Sequence, residues 1–476
     1  MNESFHFPCL CYSGRVLMRA DMGVRIQAGR QNGDMNGIRE YIQSKYIHKV
    51  WDAENERYIL YSFRTGKFVT LNELQMLIYE NGPFKELSSG LLRELYSAGF
   101  LTDGDEYESL KERQKKRQEE DKDVHLIIAP TMACNFSCSY CIETGQLRNG
   151  RMDEDTSDAV IRFAEKLLED ADAETLSVIW FGGEPLLETG IIGKISKELI
   201  SLCDRRGIFY EAAVYTNGYF LSEKNIRLLE ECRVKTIRIS MDGSRKSHDA
   251  MRYLKSGAGS YDRIMENLEI PTAIQYRIRC NLTKANLGEY EVLVRNLKAI
   301  REKSGNTIYV TPERMRVEKE VSGDLKELEL PYEEYYEAYL KLKDLKVCAE
   351  PDTASDALRG KKHGQVCNAV RKYSFCIDEK GNIYKCNWFF GMQEHVIGTV
   401  FDATPESLRE TEEGRMFLES RIAGREKCRE CKMLPICLGR CIHSWGIEGK
   451  YDCNRRINRL DETVLQAYNE LEKSKG

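Results

Sequence analysis

Cys134-Asn-Phe-Ser-Cys138-Ser-Tyr140-Cys141 sets three thiols at positions i, i+4 and i+7 of one short stretch. Thiolates are soft ligands, and three of them on a loop can hold three corners of an iron–sulfur cube, leaving the fourth iron open to a chelating ligand. The same spacing also makes one stripe of an amphipathic helix, in which cysteine is a small apolar filler. Two neighbours tip the balance toward metal. The strand-like run His125-Leu-Ile-Ile-Ala-Pro-Thr131 directly precedes the triplet, and Tyr140 stands immediately before the third cysteine.

Beyond this loop, strand-like and helix-like stretches alternate. Leu176–Phe181, Tyr210–Tyr215, Thr236–Ser240, Ile274–Cys280 and Thr307–Val310 read as buried strands. Ser157–Glu169, Gly190–Cys203, Glu223–Cys232, Tyr261–Leu268 and Gly288–Lys303 read as the helices between them. Repeated βα units imply a parallel sheet with helices outside, curling into a partial barrel whose site lies at the carboxyl ends of the strands. The expected class is therefore α/β, a partial (β/α)6 TIM-like barrel over 124–345. Leu330–Leu340 reads as an amphipathic helix whose tyrosines serve packing.

The pattern CxxxCxxC with an aromatic before the last cysteine resembles the radical S-adenosylmethionine (SAM) superfamily. In that family the open iron is chelated by the amino and carboxylate groups of the SAM methionine, and one electron from the cluster splits the sulfonium to give a 5′-deoxyadenosyl radical. The hard step belongs to the cofactor; the protein supplies orientation and a dry cavity. Later motifs fall where the family requires them. Gly182-Gly183-Glu184-Pro185 closes the second strand, and the resemblance assigns its backbone and Glu184 to the SAM amino group. Thr216-Asn217-Gly218 ends the third strand and Ser240-Met-Asp-Gly243 the fourth; either alone reads as a turn. Arg252, in His248-Asp-Ala-Met-Arg252, occupies the place of an arginine for the SAM carboxylate, a task that suits a fixed guanidinium fork. Alternatively His248 and Arg252 form a structural pair on one helix face. Tyr140, Thr216, Ser240 and Asn281 complete the expected cofactor contacts.

The carboxyl-terminal part carries a second cysteine framework: Cys367, then Gly381-Asn-Ile-Tyr-Lys-Cys386, then Cys428-x2-Cys431-x5-Cys437-x3-Cys441, and finally Cys453. It resembles a SPASM domain, expected over 346–476. By that resemblance one auxiliary [4Fe–4S] cluster uses Cys428, Cys431, Cys437 and Cys453, and another uses Cys367, Cys386 and Cys441, with Cys376 a candidate fourth ligand. Three [4Fe–4S] clusters follow in all. The rival is a pair of structural zinc sites, since CxxC knuckles also suit zinc. Cys203, Cys232, Cys280 and Cys348 fit no framework and read as core residues or bystanders. One departure matters. In anaerobic sulfatase maturases an aspartate follows the cysteine of the Gly-x4-Cys unit as general base, whereas here that position is Asn387, an amide that accepts no proton at neutral pH.

Residues 1–45, including Cys9, Cys11 and the basic Arg25–Arg30 stretch, show no usable periodicity and read as an unassigned extension. Tyr58–Phe63 and Lys67–Leu71 flank Arg64-Thr-Gly66 as a β-hairpin would. Asn72 and Ser88-Ser89 are positioned to start the two amphipathic helices that follow. The unit, 46–105, is winged-helix-like and resembles the precursor-peptide recognition domains of radical SAM maturases, which bind a leader peptide as an added strand. An ornamental domain is the alternative. The mixed-charge run within 106–123 reads as a solvated linker or exposed helix.

Bulk properties exclude several classes. With 71 basic against 76 acidic residues, nothing predicts a nucleic-acid or membrane partner. No run approaches the ~18–20 apolar residues of a membrane helix, and Met1-Asn-Glu-Ser-Phe-His-Phe lacks a signal-peptide layout, so a cytoplasmic protein is expected. Seventeen cysteines in a large chain of a reducing compartment read as metal ligands, and oxygen-sensitive clusters imply an anaerobic source. The expected function is maturation of a ribosomally made precursor peptide by an intramolecular cross-link, a sulfur-to-carbon thioether, with a flavodoxin or ferredoxin as reductant. The alternatives are a sulfatase-maturase-like dehydrogenase and a non-catalytic, metal-stabilised peptide-binding protein.

Overall fold

The computed structural model describes residues 41–141, 143, 145–315, 326–344, 358, 367–419, 426–439 and 459–474. Residues 1–40 with Cys9, Cys11 and Arg25–Arg30, together with Cys348, Cys441 and Cys453, lie outside the described residues.

The short strand β1 (Ile42–Gln43) leads into an antiparallel sheet of β2 (Ile47–Asp52), β3 (Arg57–Ser62) and β4 (Phe68–Leu71), in that order. Asn72 then starts α1 (Glu73–Asn81) through a reciprocal capping box with Gln75, which satisfies donors the first turn would otherwise leave open. Ser88 caps α2 (Ser89–Ser97), after which β5 (Leu101–Thr102) returns to pair with β1. Alternation along β3 sends Leu60 to one face, into a core with Met76, Tyr79 and Phe100, and Ile59 and Tyr61 to the other. That second face is closed by α3 (Glu106–Glu119) and by the helix Leu460–Lys473, through Tyr107, Leu110, Val464, Ala467 and Tyr468. The expected hairpin thus gains a third strand. Sequence reading missed β2 because His48, Lys49 and Trp51 break its apolar pattern. Of the two expectations for the mixed-charge run, residues 106–119 take the helical one, with Tyr107, Leu110 and Gln114 buried along one face, enough to dock the helix despite the surrounding charge.

The barrel alternates β6 (Asp123–Ile128), α4 (Glu154–Asp170), β7 (Thr175–Trp180), α5 (Thr189–Arg206), β8 (Phe209–Thr216), α6 (Glu223–Glu231), β9 (Val234–Ser240), α7 (Arg245–Met251), α8 (Tyr261–Leu268), β10 (Gln275–Leu282), α9 (Tyr290–Ser304) and β11 (Ile308–Arg314). Adjacent strands of this series are all parallel. Asp153 and Ser222 cap α4 and α6. Leu126, Val178, Val214, Ile237, Ile278 and Val310 point outward into the helix-facing core, which also takes in Cys203, Cys232 and Cys280.

The sheet does not stop at six strands. β12 (Ser374–Ile377) lies parallel to β6, with Cys376 beside Ile127, and β13 (Asn382–Tyr384) and β14 (Gly398–Thr399) extend it antiparallel to nine strands. The cysteine-rich part is therefore built onto the barrel's first strand. Two arginines secure the join. Arg371 is buried between Asp121 and Asp123, at 2.6 Å from the latter, and Arg148 spans Glu379 at 2.6 Å and Asp378 at 3.0 Å. No helix among the described residues is long and apolar enough to cross a membrane.

Candidate functional site

Between β6 and α4 the three cysteines form an irregular loop, not a helix stripe. Its Cys141 N–H reaches the Cys138 carbonyl at 3.3 Å. The loop lies along the segment after α7: Ser139 N donates to Met251 O at 3.0 Å, Ser137 N to Tyr253 O at 2.9 Å and Lys255 N to Asn135 O at 2.9 Å. These ladder bonds fix its path and leave Cys134, Cys138 and Cys141 as half-buried free thiols. Burial pushes all three upward, Cys134 to about 12 and Cys141 to about 11, with Glu184 and Cys138 adding negative charge nearby. Thiols so placed ionise when a metal supplies the compensating charge.

The glycine pair meets this loop from the end of β7. Gly182 has φ 108°, and a Cβ built there would sit 2.3 Å from the Thr131 carbonyl oxygen; one on Gly183 would sit 2.3 Å from that of Ala133. Only glycine permits this approach, which lets Glu184 N donate to Ala133 O at 2.8 Å. Glu184 itself is fully buried. Its Oε1 accepts from Leu186 N at 3.1 Å and Thr216 Oγ1 at 2.7 Å, and its Oε2 from Asn217 N at 2.7 Å. Desolvation raises this carboxyl to about 7 in spite of those donors. Asn217 completes the circuit by donating from Nδ2 to Asn135 Oδ1 at 2.8 Å, and it stands 3.9 Å from the Cys134 sulfur.

A second network faces the loop from β9, β10 and α7. The Tyr140 hydroxyl donates to Asp242 Oδ2 and accepts from Arg252 Nη1 at 3.0 Å and Asn281 Nδ2 at 2.9 Å. Asn281 N also donates to Asp242 Oδ1 at 3.0 Å. Asp242 N donates to His248 Nδ1 at 3.2 Å, so the His248 proton sits on Nε2, where it reaches Ser260 Oγ at 3.0 Å; Ser260 Oγ in turn donates to the Arg252 carbonyl at 2.7 Å. Arg252 is thereby held at both backbone and side chain, yet its buried Nε has no partner among the described residues. An orphaned guanidinium donor of that kind fits an anionic ligand. Ser240 lies half-buried at the end of β9, beside Arg279 of β10. Sequence reading does not single out Asp242, Asn217 or Ser260; Asp242 and Asn217 sit inside the two strand-end motifs from which it takes only Thr216 and Ser240 as cofactor contacts.

The remaining cysteines fall into two places. Cys367, Cys376 and Cys386 are buried on the barrel's inner side with Met132, Phe389 and Phe390. Cys428 and Cys437 lie in two short helices, Glu426–Arg429 and Leu434–Cys437, with Cys431 between them; Cys428 and Cys431 pack against the core under the amino-terminal sheet. Asn387 is buried, and its Nδ2 has no partner among the described residues. Among the described residues no group of three or more His, Cys, Asp or Glu side chains is gathered around a single-ion point.

Residues 128–283 match the family model described as the radical SAM superfamily. This chain carries a radical SAM domain. A cysteine-type anaerobic sulfatase-maturating enzyme of Clostridium perfringens (strain 13 / Type A) is 22% identical over 331 residues, spanning 66% of this chain and 88% of the relative. A serine-type anaerobic sulfatase-maturating enzyme of Bacteroides thetaiotaomicron is 25% identical over 153 residues, 31% of this chain and 36% of the relative. The solved structure of native anSMEcpe with bound AdoMet and Kp18Cys peptide superposes with a TM-score of 0.57 at 18% identity, covering 74% of this chain and 99% of that one, so the two share a fold. In the radical SAM domain described here, the cysteine loop, the glycine pair, Asn217, Asp242 and Asn281 all cluster at the carboxyl ends of the strands, where barrel sites are built.

Proposed function

We propose that this radical SAM enzyme matures a ribosomally synthesised precursor peptide, working in the cytoplasm with flavodoxin or ferredoxin as electron donor. The observation that carries this reading is the joining of two elements at one end of the barrel: three free thiols on a pinned loop, and beside them a buried arginine with a donor that has no partner among the described residues. Cys134, Cys138 and Cys141 would hold the SAM cluster. When bound, the cluster and SAM together supply one-electron cleavage of the sulfonium and hydrogen-atom abstraction from substrate.

The chain's own residues bind and orient. Arg252 would take the SAM carboxylate, with Tyr140 and Asn281 fixing its position. A carboxylate offers about four lone-pair sites, of which Glu184 uses three on protein donors, so one remains for the SAM ammonium. The backbone at Gly182 and Gly183, with Thr216 and Ser240, would line the rest. Cys367, Cys376, Cys386 and Cys441 would hold one auxiliary [4Fe–4S] cluster, and Cys428, Cys431, Cys437 and Cys453 the other, giving an exit for the electron released when a sulfur–carbon thioether forms. Residues 46–105 would bind the leader on an outer edge of the small sheet, where β2 and β4 each have one neighbour among the described residues.

Co-expression with short open reading frames adjacent to the gene tests this: a mass loss of one hydrogen pair per link is expected, and its absence from every candidate peptide counts against cross-linking. Iron analysis of the reconstituted protein should give roughly twelve irons per chain, whereas zinc alone would refute a catalytic role. The likeness to sulfatase maturases favours a second reading, dehydrogenation of a sulfatase cysteine or serine, but Asn387 lacks the basic carboxylate. Wild-type protein should leave a sulfatase peptide unoxidised, and Asn387→Asp would be required for any turnover of it.

A further inference from the structure

One buried carboxyl beside the cysteine loop belongs to neither network described above. Glu143, two residues past Cys141, is 5% exposed, and its Oε2 has no partner among the described residues. Its backbone is engaged locally, the carbonyl accepting from Gln146 N at 2.9 Å and Leu147 N at 3.0 Å. The cation whose charge reaches the side chain is Arg148, and that guanidinium is already divided between two other carboxylates, Glu379 at 2.6 and 2.9 Å and Asp378 at 3.0 Å. Taking a carboxyl out of water without a hydrogen-bond partner costs stability, and buried polar groups are as a rule paired. An acceptor left over next to a cluster loop fits a donor on a ligand. Position says which ligand. Glu184 and Arg252, the residues assigned to SAM, approach the loop from the side of β7 to β10. Residues 146–148 pack instead on the stretch 378–391: a Cβ on Gly391 would meet Arg148 Nη1 at 2.6 Å and Gln146 Cβ at 3.3 Å. Cys386 lies within that stretch and Cys376 just before it, so Glu143 stands where the loop turns from the cofactor contacts toward the second set of cysteines. Asn387, directly after Cys386, is buried there with Nδ2 lacking a partner among the described residues. Cys141 and Trp388, next to these two residues, are half-buried, so solvent reaches both sides of the seam.

We propose that Glu143 is a substrate contact: its carboxyl accepts a hydrogen bond from a main-chain N–H of the peptide, while Asn387 Nδ2 gives one to a main-chain carbonyl. The class recognised is the peptide backbone, held between the cysteine loop and the Cys386 stretch whatever its side chains. This rests on the peptide-maturase reading and adds to it how the reacting segment is gripped. The role asks Glu143 only for an acceptor, which a carboxylate and a carboxylic acid both offer, and no proton changes hands.

The test is equilibrium binding to anaerobically reconstituted holoenzyme with SAM and no reductant, followed by calorimetry. The probes are acetylated, C-terminally amidated heptapeptide pools and depsipeptide pools of the same side chains, in which esters replace the internal amides and so remove their N–H donors. A third pool is a heptapeptide with Lys fixed at the centre. The amide pool should bind wild-type protein about tenfold tighter than the ester pool, as hydrogen bonds to a carboxyl require. Glu143→Leu should narrow that gap to about twofold, whereas Glu143→Gln, which keeps an acceptor, should retain most of it. Asn387→Leu should weaken the amide pool by about fivefold. Iron content and circular dichroism confirm that each variant is folded. A further readout separates this role from a structural one: removing an unsatisfied buried carboxyl should raise the melting temperature of Glu143→Leu without peptide, and a fall would overturn the assignment. Equal affinities of the amide and ester pools for wild type, whether both bind or neither does, would overturn it as well. So would a preference for the Lys pool that Glu143→Gln abolishes, which places a side-chain ammonium on the carboxyl, or a loss of SAM affinity in Glu143→Leu, which places the cofactor there. Because no turnover is needed, pool ranking stands apart from the maturase reading, which fails if wild-type holoenzyme with dithionite releases no 5′-deoxyadenosine.

Discussion

Along β10, Tyr276, Ile278, Cys280 and Leu282 are fully buried against the helices, while Arg277, Arg279 and Asn281 between them turn toward the barrel interior. The neighbouring strand repeats the contrast, with Ile237 and Ile239 outside and Arg238 and Ser240 inside. Six strands thus carry two surfaces with separate duties. The outer one removes apolar area from water and sets stability; the inner one leaves polar and aromatic groups in a cavity for ligands to use.

Substitutions should separate the two surfaces sharply. The largest effect is expected from Cys138→Ala at the inner rim: release of 5′-deoxyadenosine should cease and iron should fall by about four per chain, with far-UV circular dichroism preserved. Gly183→Ala comes next. Its new Cβ would collide with the Ala133 carbonyl, which no rotamer relieves, and the displaced cysteine loop should cost on the order of 100-fold in SAM cleavage. A matched pair on one strand then tests the contrast directly by chemical denaturation. Ile278→Ala, at a fully buried outer position, should lose about 2–5 kcal/mol. Arg277→Gln, one residue away on the inner face, should lose less, about 1 kcal/mol, because it gives up a half-buried stacking contact with Tyr309 but opens no cavity in the core. Equal losses from the pair would erase the distinction.

The smallest effect is a pH slope. Burial lowers His248 to about 3, whereas an unfolded chain takes up that proton near 6.5. The unfolded state therefore binds more protons between those values. The His248 contribution is complete above pH 6.5 and fades as pH falls toward 3, at up to about 1.4 kcal/mol per pH unit. His125, likewise lowered to about 3 by burial, adds a similar slope. His248→Asn, which keeps an acceptor near Nδ1 but does not titrate, should remove one of the two contributions; an unchanged slope would mean His248 is already solvated.

Much of this was legible in the chain. The cysteine loop, the glycine pair and each barrel strand announce themselves through local spacing, and Asn72, Ser88 and Asp153 cap helices because their oxygens satisfy donors within a few residues. Three things were not. β12 pairs with β6 across 249 positions of sequence, as in Cys376 with Ile127, and no local pattern encodes a partner so distant. Arg277 and Arg279 sit in a run read as a buried strand, and which side becomes a cavity depends on how the sheet curves. Asp242 stands in a strand-end motif without a role of its own that local sequence could give it, since that role is set by Tyr140 arriving from elsewhere.

The placement of β12 also bears on how the polypeptide is made. Arg371 reaches Asp121 over 250 residues, so a ribosome must deliver most of the later chain before the first barrel strand acquires its outer neighbour. Throughout that interval β6 offers an unsatisfied row of amides and carbonyls, an invitation to pair with nascent copies nearby. Expression at low temperature, with slow translation and chaperone supply, is the regime in which such an edge survives until its rightful cover emerges.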